Sequence, residues 1–96
     1  MNIALKKFGT TLISRQSGRE AFAAFQPSLQ GASNEDRIEV DFDGVITFAP
    51  SWGDEFLTPL LNQYDGKLVL KNTNNLSVKA TLEILEEANK KKFRVE

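Results

Sequence analysis

The sequence predicts a single small α/β domain over residues 1–96, with a mixed, partly parallel sheet and helices packed against it. Apolar Ile38, Val40 and Phe42 alternate with acidic residues, which is typical of a half-buried strand. The unbroken apolar run Leu68–Leu70 lies between two lysines and predicts an interior parallel strand. Stretches with helical spacing follow both, so we expect the two strands to be neighbours in one sheet with helices on it.

Composition excludes several functional classes. The chain has 12 basic and 13 acidic residues, and this balance argues against nucleic acid or an anionic membrane as the main partner. Cysteine and histidine are both missing, so we expect no thiol chemistry, no metal site and no cofactor. The N-terminal segment Met1–Lys7 lacks the apolar region of a signal peptide, and no apolar run is long enough to span a bilayer. The sequence therefore predicts a cytoplasmic protein.

The N-terminal third predicts one strand and one helix. The mixed segment Met1–Lys7 is interpreted as an edge strand. A helix then begins at Ser14 or at Ser17, both of which can serve as N-caps. We expect Pro27 to end this helix, because proline disfavours helical geometry in the residue before it. The following segment, Ser28–Asp36, is predicted to be a polar surface loop.

The middle of the chain predicts a strand that leads into a second helix. The strand covers Arg37–Phe48 and is interrupted by a glycine at Gly44. Two interpretations remain open here, a tight hairpin or one strand with a bulge at the glycine, and we favour the second. Ser51 is predicted as the N-cap of the second helix, and Asp65 with the glycine after it as its end.

The last third predicts a loop and a third helix. Asn72–Asn75 is predicted to form the loop and to supply the helix cap. The helix is expected to run from about Leu76 to Lys91 with one apolar face towards the core. Three residues at helical spacing define that face: Val78, Leu82 and Leu85.

One segment is similar to a catalytic motif. The apolar strand ending in Asp41 and Asp43 resembles the first motif of haloacid-dehalogenase-type phosphatases. That resemblance implies a nucleophilic carboxylate, a general acid and a magnesium ion between them. In that family, however, the motif lies on the first strand, whereas here it lies in mid-chain. A second acidic pair is also needed, and Asp54 and Glu55 follow too closely to return across a sheet. A magnesium-dependent phosphatase is therefore only a minor alternative.

Three motifs, one of which overlaps the phosphatase-like segment, resemble the STAS-like domains of unknown function. They are Gly-x-x-Leu-x-Ser-Arg at 9–15, Asp-Phe-x-Gly-Val at 41–45 and Pro-Ser-Trp-Gly-Asp-Glu at 50–55. The motifs keep their order, and the similarity extends roughly from Leu5 to Leu85. Family members more often carry Phe and Ala at the positions of Trp52 and Gly53. The resemblance implies a STAS-like fold for the whole domain.

The wider kinship is with STAS domains such as the anti-sigma-factor antagonists. These are non-catalytic partners of a serine kinase with the histidine-kinase-like ATPase fold, and they are switched by phosphorylation of a serine at the start of a helix. Their serine pair falls near Ser51 and Trp52 of this chain, with Trp52 at the position of the phosphorylated serine. Ser51 is the one serine that remains and is the candidate for phosphorylation. The resemblance therefore implies a protein partner, either such an ATPase or kinase or another signalling protein.

We therefore predict a non-catalytic protein-binding or regulatory module, with a structural or oligomerising domain as the alternative and the oligomeric state open. The expected surface is the rim where strand ends meet helix N-termini, since ligands of open α/β sheets gather there. In this interpretation the two serines are helix caps and Arg15 is the cation that faces the acidic residues. Trp52 adds contact area if it is exposed, although burial in the core is favoured. The predicted partner-binding residues are Ser14, Arg15, Asp41, Ser51, Trp52, Asp54 and Glu55.

Overall fold

Three helices separate short strands along the chain. The structure is a computed structural model that describes residues 1–31 and 36–96. Two short 3-10 helices, Leu5–Phe8 and Asp65–Lys67, accompany the main elements. In chain order the strands and helices are β1 (Asn2–Ala4), β2 (Thr11–Leu12), α1 (Arg15–Gln30), β3 (Ile38–Asp41), β4 (Thr47–Phe48), α2 (Pro50–Tyr64), β5 (Leu68–Lys71), α3 (Leu76–Asn89) and β6 (Arg94–Val95).

The larger sheet has the strand order β1-β3-β5-β6, and every strand pair described is parallel. Val40 lies opposite Leu70, so the two predicted strands are neighbours in one sheet, as expected. Strand order follows chain order, and right-handed crossovers then put the connecting helices on one face. The predicted α/β class with helices packed on a sheet is confirmed. The predicted mixture of strand directions is wrong for the described residues, because all of their strand pairs are parallel. The predicted N-terminal edge strand is also present, as β1.

The prediction for Arg37–Phe48 is wrong in both of its forms. Strand β3 ends at Asp41, and the backbone N–H of Val45 donates to the carbonyl of Phe42 at 3.0 Å to close a turn. Gly44 in this turn has φ +85°, which glycine adopts without the steric cost of a side chain. The chain thereby leaves the large sheet, and β4 pairs in parallel with β2 in a second, two-stranded sheet.

Pro27 does not end the first helix. Helix α1 continues through Pro27 to Gln30. The missing proline N–H frees the carbonyl of Ala23, which lies on an exposed part of the helix where water can satisfy it. Phe25 and Leu29 are buried on the other face, so packing outweighs the local preference. Of the predicted polar loop, the first residues are therefore helical, and 32–35 lie outside the described residues.

The core lies between the large sheet and the helices and is rich in aromatic side chains. Trp52 and Phe56 of α2 are fully buried and stack with ring centroids 5.0 Å apart. Phe25 of α1 stacks on Phe56 at 5.7 Å. Helices α1 and α2 cross at Gly18, where a methyl group in place of the glycine hydrogen would lie 2.6 Å from the carbonyl oxygen of Trp52. This close crossing sets the N-termini of α1 and α2 side by side.

Helix α3 follows its prediction closely. It runs from Leu76 to Asn89 and is capped by Asn75, whose Oδ1 accepts from the backbone N–H groups of Ser77 and Val78. The three predicted inward residues of this helix are all buried. Helix α2 also ends as predicted, because Asp65 takes a positive φ of 47° directly after Tyr64.

Candidate functional site

The N-terminus of α1 is capped as the sequence predicts. Ser14 has an extended backbone, and its hydroxyl oxygen accepts from the backbone N–H of Ser17 at 3.0 Å. This satisfies one of the donors that the first turn of a helix leaves unpaired. Arg15 is then the first residue of the helix and lies beside the N-terminus of α2.

The N-cap of α2 is Ala49, so the prediction of Ser51 as the cap is wrong. Pro50 occupies the first helical position, where its fixed φ suits the helix and its missing N–H is not needed. The helix therefore starts earlier than the serine suggests, and Ser51 lies inside its first turn. Ala49 has no side-chain acceptor, so the N-cap residue of α2 makes no side-chain capping bond.

An ion-pair network joins the two helix N-termini. Nη1 of Arg15 lies 3.0 Å from Oδ2 of Asp54 and 3.1 Å from Oε1 of Glu55. The hydrogen bond to Asp54, followed by that to Glu55, raises the pKa of Arg15 above its ordinary value. Arg19 adds a longer contact of 3.4 Å to Glu55, and Thr58 donates to Oδ1 of Asp54 at 3.0 Å. The expected pairing of Arg15 with acidic residues is thus found for Asp54 and Glu55.

Asp41 belongs to a different set of contacts. Its Oδ1 accepts from Nδ2 of Asn72 at 2.7 Å and from the backbone N–H of Asp43 at 2.9 Å. These bonds, the one from Asn72 first, lower the pKa of Asp41, and Lys6 and Lys71 lower it further. Asp41 is therefore part of the turn at the end of β3 and is not bonded to Arg15.

Asp41 and Asp43 do not lie on one strand, although the phosphatase motif requires their two carboxylates on the same strand face. Strand β3 ends at Asp41, and Asp43 lies in the turn that follows. Oδ1 of Asp41 is occupied by hydrogen bonds from that turn and from Asn72. Within residues 1–31 and 36–96, no group of three or more acidic, histidine or cysteine side chains is arranged to hold a metal ion.

Trp52 is fully buried, with 0% of its surface exposed, so it provides no contact area for a partner. The exposed role considered for it is wrong, and the favoured core position is confirmed. Its ring packs between Phe48 and Phe56. The indole Nε1 has no hydrogen-bond partner among the described residues, which is a cost of placing tryptophan here.

A cleft of about 220 Å³ opens between the N-terminus of α2 and helix α3. Its polar wall contains Arg15, Ser51 and Asp54, three of the predicted site residues. Its apolar wall comes from α3, where Ile84 is 50% exposed. A larger cleft of about 550 Å³ near the end of α3 has only charged side chains in its wall. The complete lining of the smaller cleft is Arg15, Pro50, Ser51, Asp54, Ile84, Leu85 and Ala88.

The contribution of α3 to this cleft is absent from the sequence-based prediction. Ile84 lies beside the buried face of α3, and Ala88 follows one turn later. The sequence did offer one indication of this wall, because Ile84 is a large aliphatic residue on the otherwise charged side of the predicted helix. The residues of α2 that face Ile84 across the cleft could not be identified without knowing how α2 and α3 pack.

Comparison with known families agrees with this architecture. A family model described as a STAS-like domain of unknown function matches residues 18–78. The chain belongs to this family of STAS-like domains. The match includes the motifs at 41–45 and 50–55, whereas the motif at 9–15 precedes it. Searches of curated proteins and of solved structures find no match to the chain.

Among the residues described, no helix combines the length and apolar character needed to cross a membrane. The longest of these helices, α1, has 16 residues.

Ser14 and Ser51 differ in their expected contributions to stability. Ser14→Ala should lower the free energy of unfolding by about 0.5–2 kcal/mol, because the cap of α1 is lost. Ser51→Ala should change it by no more than about 0.5 kcal/mol, because Ser51 is not a cap. Urea unfolding of both variants measures the difference. Equal losses for the two serines would contradict the assignment of Ala49 as the N-cap of α2.

Proposed function

We propose that this chain is a non-catalytic protein-binding or regulatory module, and that its binding surface is the cleft between α2 and α3. The observation that carries the proposal is the combination of an exposed aliphatic wall with a polar wall held by ion pairs. Ile84 and Ala88 supply the first, and Arg15 with Asp54 supplies the second. Protein interfaces commonly combine an apolar centre with a polar rim of this kind.

The residues of the cleft support binding better than catalysis. Ser51 offers a hydroxyl group, but the chain contains no histidine to act as its general base. The carboxylate of Asp54 is held by Arg15 through one oxygen and by Thr58 through the other. An acid engaged on both oxygens is poorly placed to accept a proton from the hydroxyl group. We therefore propose a partner, and no reaction, for this cleft.

For the partner we propose a signalling protein, in particular an ATPase or kinase of the histidine-kinase-like fold. This part of the proposal is supported by the kinship of STAS-like domains with anti-sigma-factor antagonists. Ser51 would then be the phosphorylated residue, since it lines the cleft in the first turn of α2. A phosphate there is favoured by the helix dipole and by Arg15, and opposed by Asp54. A cytoplasmic location fits such a partner and remains a prediction.

Binding at the cleft can be tested with two matched isoleucines. Ile84 is 50% exposed in the cleft, and Ile46 is 65% exposed outside it. Affinity capture from source cells, followed by binding assays with the purified captured protein, compares the wild type with Ile84→Arg and Ile46→Arg. We expect a partner that binds the wild type and Ile46→Arg equally well. It should bind Ile84→Arg at least about tenfold more weakly, because arginine puts an unpaired charge in the apolar part of the contact.

Two outcomes would contradict the proposal. If both variants bind the partner equally well, the cleft is not the binding surface. If the wild type retains no partner and instead self-associates in sedimentation experiments, the structural or oligomerising alternative is correct. Both variants must keep the wild-type circular dichroism spectrum, which is expected because both side chains are exposed.

A further inference from the structure

Both main-chain polar groups of Phe48, at the end of β4, are bonded to side chains of α3. The hydroxyl of Ser77 accepts from the backbone N–H of Phe48 at 2.9 Å and lies 3.3 Å from its carbonyl oxygen, to which it can donate. The hydroxyl of Thr81 donates to the same carbonyl. Thr81 is only 3% exposed, so this bond is shielded from water.

These bonds replace a neighbouring strand. On one side β4 pairs with β2, and the backbone N–H of Ala49 continues that contact with the carbonyl of Leu12 at 2.9 Å. On the other side the hydroxyl groups of α3 take the place of strand partners. The segment that joins β4 to α2 is therefore fixed between β2 and α3.

Asn75 ties the preceding loop to the same helix. Its Nδ2 donates to the carbonyls of Val45 and Ile46, at 3.1 and 2.8 Å, while its Oδ1 caps α3. We call Asn75, Ser77 and Thr81 the α3 latch. The latch therefore joins the start of α3 to residues 45–48, the segment that leads into α2.

The latch residues and Phe48, to which they bond, are close in sequence to the two walls of the cleft. Ser51, in the polar wall, follows three residues after Phe48. Ile84 and Leu85, in the apolar wall, follow one helical turn after Thr81. We propose that Ser77 and Thr81 are positioning residues that hold the two walls of the cleft at their observed separation. The effect on partner binding rests on the function proposed above, whereas the effect on local structure does not.

Amide hydrogen exchange tests the latch without a partner. Thr81→Val keeps the shape of the side chain and removes the hydroxyl group. The shielded carbonyl of Phe48 then keeps only the longer bond, 3.3 Å, from the hydroxyl of Ser77. We expect exchange of the Phe48 and Gly53 amides to accelerate about tenfold, while amides of β3 and β5 keep their wild-type rates. Thr11→Val, the same change at an exposed position of β2, is the control and should alter neither group.

Ser77→Ala provides a second variant in case Thr81→Val folds poorly, and it should accelerate exchange of the Phe48 amide in the same way. An equal acceleration throughout the sheet, or no acceleration of the Phe48 amide in either variant, would overturn the proposal.

Once a partner has been identified, its binding to Thr81→Val tests the effect on the cleft. We expect this variant to bind several-fold more weakly than the wild type, although Thr81 does not line the cleft. Unchanged binding would show that the latch does not govern the surface. If local exchange rises but no partner binds at the cleft, the latch is correct and the proposed function is wrong.

Discussion

Gly18→Ala is expected to lower the free energy of unfolding by about 1–3 kcal/mol, as overpacking of a close contact does. An ideal Cβ at Gly18 would lie 2.6 Å from the carbonyl oxygen of Trp52 and 3.0 Å from its Cα. Both atoms belong to the backbone of α2, so no side-chain rotation relieves the clash. The two helices would have to move apart, which would loosen the aromatic core beneath them. Urea unfolding followed by circular dichroism measures the loss.

Gly66→Ala is the control for this substitution. A Cβ at Gly66 meets no atom within 4 Å, and the backbone there does not need a positive φ. Alanine should therefore be neutral, or stabilising by up to about 1 kcal/mol through the unfolded chain. A Gly18→Ala protein as stable as Gly66→Ala would contradict the close crossing of α1 and α2.

Trp52→Ala is expected to cost about 3–5 kcal/mol, the range for truncating a buried aromatic residue. Trp52 is fully buried and stacks on Phe56, so its removal leaves a cavity at the start of α2. Trp52→Phe should cost less, about 1–2 kcal/mol, within the ordinary range for single substitutions. It retains a ring at the stacking position and removes an indole N–H that has no partner among the described residues. Circular dichroism is the appropriate probe, because Trp52 is the single tryptophan.

Binding separates the core role of Trp52 from a contact role. A folded Trp52→Phe protein should bind a partner as tightly as the wild type, since residue 52 has no exposed surface. A strong loss of binding at unchanged stability would mean that Trp52 becomes exposed in the complex.

The sequence predicted those parts of the fold in which local pattern and packing agree. The alternation around Val40 and the apolar run Leu68–Leu70 identified two central strands. A strand buried on one face shows alternating apolar residues, and a strand buried on both faces shows a continuous apolar run. Helix α3 was predicted for the same reason. The end of α1 was predicted wrongly at Pro27. The local cost of the proline is outweighed by the burial of Phe25 and Leu29, which only the tertiary structure reveals. Strand β4 was misassigned because two residues carry too little pattern to show a change of sheet.

The ion-pair network was predicted in part, because Arg15, Asp54 and Glu55 were all expected at helix N-termini on one rim. The contact joins residues 39 and 40 positions apart in the sequence. Asp41 did not join them because the turn after β3 engages its carboxylate. Ile84, from α3, was missed because its place in the cleft depends on the packing of α2 against α3.

Site-specific photo-crosslinking tests the proposed binding surface most directly. A photoreactive amino acid is placed at Ala88, which is exposed in the cleft, or at Leu76, which is 82% exposed at the other end of α3. The partner captured by the wild-type chain should crosslink from position 88 and not from position 76, and Ile84→Arg should abolish the product. Crosslinking from position 76 alone, or equally from both positions, would contradict a binding surface at the cleft between α2 and α3.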